Sequence, residues 1–334
     1  MKNILKFLGY LQVPSMSKWL LTGGAGYIGS HVIQELLKAN IEVCVVDDLS
    51  TGLKERLPDL VNFYQGTLLD QGFLENIFKN ESILGVIHLA AKKSVGESML
   101  NPNYYYEENV LGLLNLIKAM NNQNVKNIVY SSSAAVYGEP LDPLVNENSL
   151  TVPTSVYGET KLIGEWIIKN SNLNSISLRY FNVAGAGDKS LGDTAADNVI
   201  PKVFKALSEN RTPEIFGDDY STFDGTCIRD YVHVVDLAKA HVLAANALMN
   251  KSMNEIYNVG TGNGFSVKQL FEQIQKSTNN KFDYKISSRR PGDPAATVAD
   301  VKKINKDLDF QTKLGLSEIV DSAWQAWQFR VNQK

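Results

Sequence analysis

Lys18-Trp19-Leu20-Leu21-Thr22-Gly23-Gly24-Ala25-Gly26-Tyr27-Ile28-Gly29 is the stretch whose reading decides the fold. Lys18 to Thr22 has the composition of a short buried strand, and the glycine run follows it directly. Val32, Leu36 and Leu37 then recur at helical spacing up to Asn40, and a second strand, Val43 to Val46, ends in Asp47 and Asp48. A strand, a glycine turn, a helix and a strand, with an acidic residue 18 positions after Gly29 (47 − 29), is the context that a dinucleotide-binding fingerprint requires. Glycines such as Gly23, Gly26 and Gly29 let backbone amides and the helix N-terminus, at Tyr27 and Ile28, approach a pyrophosphate. Asp47 is placed to accept hydrogen bonds from a ribose diol. Its carboxylate would repel an additional phosphate, so the expected cofactor is NAD rather than NADP.

The same alternation continues outward. Strands at Val61 to Gln65, Leu84 to Leu89, Asn127 to Ser131 and Ser175 to Tyr180 are separated by helices near Phe73 to Phe78, Tyr104 to Met120 and Tyr157 to Asn170. Strands this apolar, joined through helices, imply a parallel sheet covered on both faces, hence a Rossmann-type doubly wound α/β fold. Ligands of such sheets sit beyond the carboxyl ends of the strands. That places Leu89-Ala90-Ala91, Ser131-Ser132-Ser133 and Tyr180-Phe181-Asn182 around one crevice. From about residue 183 the pattern loosens into Gly- and Asp-rich loops, with helices near Ile200 to Ser208, Val235 to Asn250 and Val267 to Lys276. The expected organisation is an NAD-binding Rossmann domain at 18–182 and a smaller mixed α/β C-terminal substrate domain at 183–334, some of whose segments return to the main sheet. Residues 1–17 read as an N-terminal extension, because Lys6 interrupts their apolar run and no small-residue cleavage site follows. Met16, just before the first strand, is the expected natural start.

With 334 residues the chain is long enough to bury a full core, and its 33 basic against 36 acidic residues leave a formal charge of −3. No general attraction to nucleic acid or to an anionic membrane follows from that balance. No apolar run reaches the roughly 20 residues of a membrane span. Cys44 and Cys227 are isolated, with no CxxC or Cys/His cluster, so no metal site is expected, and two lone thiols suit a cytoplasmic setting.

Tyr157 and Lys161 stand four residues apart, on one face of a helix. A tyrosine hydroxyl titrates near about 10 in water, and an ammonium held close favours its phenolate. The pair thus suits general base work. Gly158, beside the tyrosine, is expected to leave room for a flat cofactor ring. At least one hydroxyl of Ser131, Ser132 and Ser133 should face the crevice and bind a substrate oxygen. Any one of these features has a plain structural explanation, but the glycine turn, the serines and the Tyr157/Lys161 pair converge on the same place.

Ordered along the chain are TGGAGYIGSH at Thr22 to His31, AAKKSVGES at Ala90 to Ser98, YSSSAAVYG at Tyr130 to Gly138, SVYGETK at Ser155 to Lys161, RYFNVAG at Arg179 to Gly185 and DGTCIRDYVHVVDLA at Asp224 to Ala238. By these runs the chain resembles the extended short-chain dehydrogenase/reductase family over nearly its whole length, and in particular the members that act on nucleotide sugars. The resemblance implies an isomerase that inverts carbon 4 of a UDP-hexose through a 4-keto intermediate, interconverting UDP-galactose and UDP-glucose with tightly bound NAD. It implies that Tyr157 is the base, Ser133 its partner on the sugar hydroxyl, and Lys161 the group on the nicotinamide ribose. It places Lys93 near the cofactor phosphates with Asn109 close by, and Tyr180, Phe181 and Asn182 beside nicotinamide and sugar. Asn198, Arg229 and Arg290 would grip the substrate diphosphate, Phe216 the uracil and Asp293 the uridine ribose. A homodimer is implied, joined through the helix near Tyr104 to Met120 and the Tyr157 helix.

Two positions depart from the family pattern. In Gly66-Thr67-Leu68, Thr67 replaces an acidic residue that contacts adenine, leaving Leu68 at the cofactor. Thr297 stands where a bulky tyrosine often meets the sugar 2-substituent, and a smaller residue there predicts activity on UDP-N-acetylhexosamines as well. A nucleotide-sugar 4,6-dehydratase is the nearest alternative, but its Asp-Glu pair is replaced here by Ala134-Ala135. A non-catalytic NAD-sensing regulator would have little use for the Ser133, Tyr157 and Lys161 set.

Overall fold

The computed structural model describes residues 17–195, 198–290 and 292–332. The first sixteen residues, Met16 among them, lie outside the described residues, so the expected extension and start are not described. The strands, in chain order, are β1 (Lys18–Thr22), β2 (Val43–Asp47), β3 (Asn62–Gln65), β4 (Ile83–His88) and β5 (Asn127–Ser133). They continue with β6 (Leu144–Val145), β7 (Asn174–Tyr180), β8 (Asn182–Ala184), β9 (Glu214–Phe216) and β10 (Ile228–His233). The last four are β11 (Asn254–Val259), β12 (Gly264–Ser266), β13 (Lys285–Ser287) and β14 (Ala296–Ala299).

Seven strands form one sheet in the order β11-β7-β5-β4-β1-β2-β3, and every neighbouring pair is parallel. The reversal of order at β1 is the switch point at which doubly wound sheets bind ligands. Trp19, Leu20 and Leu21 of β1 are wholly buried, because helices cover both faces. One face packs Val32, Ile33 and Leu36 of the Tyr27–Lys38 helix together with Leu237, Ala240 and Ala244 of the Val234–Asn250 helix. The other packs Leu74 and Ile77 of the Gln71–Asn80 helix and Leu113, Leu116 and Ile117 of the Gly112–Asn122 helix.

A second sheet runs β12-β10-β14-β6, with β8 also paired to β10, and β9 pairs with β13. It packs around Phe204, Phe271 and Ile319 in a separate core. Two exchanges interlock the halves: β11, late in the chain, joins the large sheet beside β7, and β6, from the early part, joins the small sheet beside β14. The helix expected near Tyr104 to Met120 is interrupted. It runs as α-helix over Pro102–Tyr106, widens to a π-helical turn over Glu107–Leu111, and resumes as α-helix over Gly112–Asn122. The wide turn carries Asn109, whose amide ties the loop after β4 to the Val156–Lys169 helix. Among the described residues no helix is long and apolar enough to cross a membrane, and no group of three or more His, Cys, Asp or Glu could hold a metal ion.

Candidate active site

A crevice of about 1050 Å³ opens beyond the carboxyl ends of the large sheet and continues between the two halves. Tyr27, Ile28, Lys93, Ser133, Tyr157 and Tyr180 line its inner part. Asn182, Asn198, Phe216, Arg229, Arg290, Asp293 and Thr297 line its outer part.

The glycine turn follows β1. Gly23 has a positive φ of 74°, and a Cβ there would lie 2.7 Å from the Ala90 amide nitrogen. A Cβ on Gly29 would lie 2.2 Å from the Gly23 carbonyl oxygen, so the first helical turn can close on the loop only if that residue is glycine. The Tyr27–Lys38 helix begins without a side-chain cap and has no acidic residue in its first turn, which leaves its amides and the positive end of its dipole free for an anion. Asp47, at the end of β2, accepts hydrogen bonds from the Ala25 amide at 3.0 Å and the Leu49 amide at 2.8 Å. Burial raises its pKa, and those two amides work against the rise. It therefore braces the turn from the end of β2, the place at which such folds take a ribose. These features fit a dinucleotide.

Ser155 sets the register of the helix that carries Tyr157 and Lys161. Its hydroxyl caps the N-terminus of Val156–Lys169 by accepting from the Gly158 amide at 3.1 Å, so Tyr157 falls in the first turn and Lys161 in the second. The half-buried Tyr157 keeps its proton, because burial raises its pKa and only a hydrogen bond from Ser133 opposes that. Lys161 is buried, and loss of solvent lowers its pKa to about 7. Its Nζ donates to the Ser131 carbonyl at 2.8 Å and lies 5.9 Å from the Tyr157 ring centre. The expected lowering of the tyrosine by its lysine is thus not what this arrangement shows. Both groups are pushed toward their neutral forms by the same desolvation.

Of the three serines only Ser133 lines the crevice. Ser131 bonds the Tyr180 hydroxyl, and Ser132 donates to Glu165 at 2.5 Å. Burial raises Tyr180 well above its ordinary value, helped by Tyr157 and opposed by Ser131. The space expected beside Gly158 is taken by the chain itself: a Cβ there would lie 2.7 Å from the Ala135 carbonyl oxygen. That glycine lets the helix approach the loop after β5, not a ring.

Gly23, Gly26, Gly29, Asp47, Leu68, Leu89, Ala90, Ala91, Asn109 and Lys161, all expected at the site, do not line the crevice. Ala90 backs Gly23, the Leu89 amide bonds the Thr22 carbonyl, and Leu68 packs in the core under the Gly112–Asn122 helix. Asn109 acts as a clamp. Its Oδ1 accepts from the Lys92 amide at 2.8 Å, while its Nδ2 donates to the Lys92 carbonyl and to Thr160 Oγ1, each at 3.0 Å. Thr67 accepts from the Leu69 amide at 3.2 Å.

At the outer end Arg229 and Arg290 converge on one carboxylate. Asp293 accepts from Arg229 Nη2 at 3.3 Å and from Arg290 Nε at 2.8 Å, which leaves one net positive charge. The Arg290 guanidinium also lies 5.1 Å above the Phe216 ring. Asn198 donates to Asp193 at 2.9 Å. Thr297, 7 % exposed, sits opposite Arg229 in the β10–β14 pairing, and its Oγ1 has no partner among the described residues.

Sequence reading missed the ties that hold these parts together. Glu165, one turn beyond Lys161, receives Arg179 Nε at 2.8 Å and Nη2 at 2.6 Å in a buried bidentate pair. Its i+4 spacing from Lys161 is the signal that would have found it. Tyr27 donates to the Gly185 carbonyl at 2.6 Å, His31 Nε2 accepts from the Gly187 amide at 2.9 Å, and Arg56 donates to the Gly192 carbonyl at 2.7 Å. These three fasten the loop that leads to Asn198, and no local pattern announces them.

Fold and site together define a dinucleotide-binding α/β enzyme with Ser133 and Tyr157 facing an outer wall that carries Arg229 and Arg290. The model of the NAD dependent epimerase/dehydratase family matches residues 19–260, and the chain belongs to that family. It is 44 % identical to the UDP-glucose 4-epimerase of Halalkalibacterium halodurans over 91 % of this chain and 94 % of that one. A solved UDP-glucose-4-epimerase from Stenotrophomonas maltophila, with NAD and formylated UDP-arabinopyranose bound, superposes with a TM-score of 0.92 at 33 % identity, covering 95 % of this chain and 100 % of that one. The UDP-Glc/GlcNAc 4-epimerase of Campylobacter jejuni superposes with a TM-score of 0.82 at 38 % identity, covering 93 % and 99 %.

Proposed function

We propose that the chain is an isomerase that interconverts UDP-galactose and UDP-glucose through a 4-keto intermediate, with NAD as its cofactor. The observation that carries this reading is the meeting, in one crevice, of Ser133 and Tyr157 on the inner wall with Arg229 and Arg290 on the outer wall. When bound, NAD supplies reversible acceptance and return of a hydride at carbon 4. As its own proton passes toward Lys161, Tyr157 takes the proton of the 4-hydroxyl and later returns it, and Ser133 fixes that oxygen. Lys161, held near neutrality, can gain a proton as Tyr157 loses one, so the buried pair passes between two states of nearly equal net charge. Arg229 and Arg290 hold the diphosphate by charge-assisted hydrogen bonds, with Asn198 beside them and Phe216 and Asp293 toward the uridine. Anchoring the nucleotide while leaving the sugar loosely held lets the keto sugar turn over and present its other face.

Ala134 and Ala135 offer no proton-transfer group after β5, which speaks against dehydration. Purified protein given UDP-galactose without added NAD should yield UDP-glucose by chromatography. A 4-keto-6-deoxy product would establish the dehydratase, and no conversion would overturn the enzyme reading. The small, unpartnered Thr297 and the named activity of the Campylobacter jejuni relative support a second substrate class, the UDP-N-acetylhexosamines. Failure to turn over UDP-GlcNAc while UDP-galactose reacts normally would sink that part.

The same reading includes a homodimer in the cytoplasm. Tyr104, Leu111, Leu114 and Trp166 are exposed on the 102–122 segment and the catalytic helix, an apolar face suited to a symmetry mate. Both cysteines are free and buried, as suits a reducing compartment. Light scattering that returned the monomer mass would remove the dimer.

A further inference from the structure

We infer that Lys92 is a cofactor-retaining residue, which with Ser50 and Asp48 forms a bridge over the adenosine half of the dinucleotide cleft. The inference rests on the reading of NAD as cofactor and extends it to residues that neither the glycine motif nor the Ser133, Tyr157 and Lys161 set includes.

The geometry is set by strand order. In the large sheet β1 lies between β4 and β2. Lys92 belongs to the loop after β4, Asp48 and Ser50 to the loop after β2, and the glycine turn follows β1 between them. Any contact from Lys92 to Ser50 must therefore cross the turn, a span of two strand spacings, or about 10 Å. Lys92 Nζ makes that crossing. It donates to Ser50 Oγ at 2.8 Å, and Ser50 Oγ donates in turn to Asp48 Oδ1 at 2.6 Å. The ammonium also lies 3.9 Å from Asp48 Oδ2. A dinucleotide resting its pyrophosphate on the turn and its ribose beside Asp47 lies beneath this chain of contacts.

The bridge is also anchored. Asn109 holds the Lys92 backbone through both amide and carbonyl, and the Tyr104 ring lies 5.5 Å from Nζ. The Lys92 side chain is only 14 % exposed. Burial works against its charge, yet the Tyr104 hydroxyl, Asp48 and Glu108 hold its pKa above the ordinary value. It does not line the crevice, where its neighbour Lys93 does, so its ammonium is left for the bridge.

The test is the rate at which the holoprotein loses NAD, followed in filtrates by ultraviolet absorbance. Lys92→Met should release NAD about tenfold faster than wild type, the size expected for one charged hydrogen bond. Wild-type release should quicken with salt, because the bridge is an ion pair near the surface, while Lys92→Met should lose that dependence. UDP binding, measured by calorimetry, should be alike in both. Equal release rates and equal salt slopes would overturn the bridge, and so would a parallel loss of UDP affinity, which marks a merely structural residue. Should Lys92→Met not fold, Ser50→Ala decides: it removes only the relay hydroxyl and should speed release about threefold, and an unchanged rate overturns the proposal. Wild-type protein that carried no NAD at all would remove the cofactor assignment, and the bridge with it.

Discussion

At the cofactor end of the crevice the chain works mainly with backbone: a glycine turn closed to within contact distance of its neighbours, an uncapped helix N-terminus, and an aspartate bonded to two amides. At the nucleotide-sugar end it works with side chains, two arginines sharing Asp293 beside an aromatic ring, on short strands and loops. Backbone held by a buried parallel sheet has little freedom left to lose when a ligand arrives, so it suits a group that stays. Long charged side chains rearrange at modest cost, so they suit a group that exchanges at every turnover. Ser133 and Tyr157, the proposed reacting groups, stand where the two meet.

The sharpest way to separate the two ends is to disable their meeting point. Tyr157→Phe should lower turnover by about a thousandfold while the purified protein keeps its NAD, measured by product chromatography and cofactor absorbance. Turnover equal to wild type would take Tyr157 out of the mechanism. Next in size is the buried pair behind it: Glu165→Ala strands the Arg179 guanidinium and should cost about 3–5 kcal/mol of stability in denaturant unfolding. At the outer end, Arg229→Ala and Arg290→Ala should each raise KM for UDP-galactose about tenfold or more and leave NAD content unchanged. Loss of NAD in those variants would show that the two ends are not independent.

The smallest expected effect concerns the seam between them. His31 accepts the Gly187 amide on Nε2, so its proton sits on Nδ1 facing the Tyr27 carbonyl at 2.8 Å. Burial lowers its pKa to about 4 from an ordinary 6.5. A base with a folded pKa below its unfolded one is protonated first in the unfolded state, so stability should fall as pH drops from about 6.5 toward 4. His88, His233 and His241 are lowered in the same way, by burial above all, and add to the slope. Thermal unfolding across that window should show the decline, and His31→Gln should make it shallower by about one proton. An unchanged slope would remove His31 from it.

Much of this was legible in one dimension, because it depends on short-range pattern. Apolar runs, the glycine turn, an acidic residue at the end of the next strand and a tyrosine one helical turn from a lysine are local facts; they sufficed for the doubly wound fold and NAD, and they are the ground on which Tyr157 and Lys161 are proposed as the catalytic pair. Ser133 and the arginines followed from recurring runs of sequence. Other features depended on where distant segments come to rest. Lys92 reaches a serine 42 positions away, Arg229 an aspartate 64 positions away, and Asn109, on a widened helical turn, holds a loop and the Tyr157 helix at once. Gly158, read locally as room for a ring, proved to be room for the chain's own backbone. Periodicity reports which face of an element is buried. It carries no information about what the burial is against, and that was decided only when β11 crossed into the large sheet, β6 into the small one, and the loops between them were brought together.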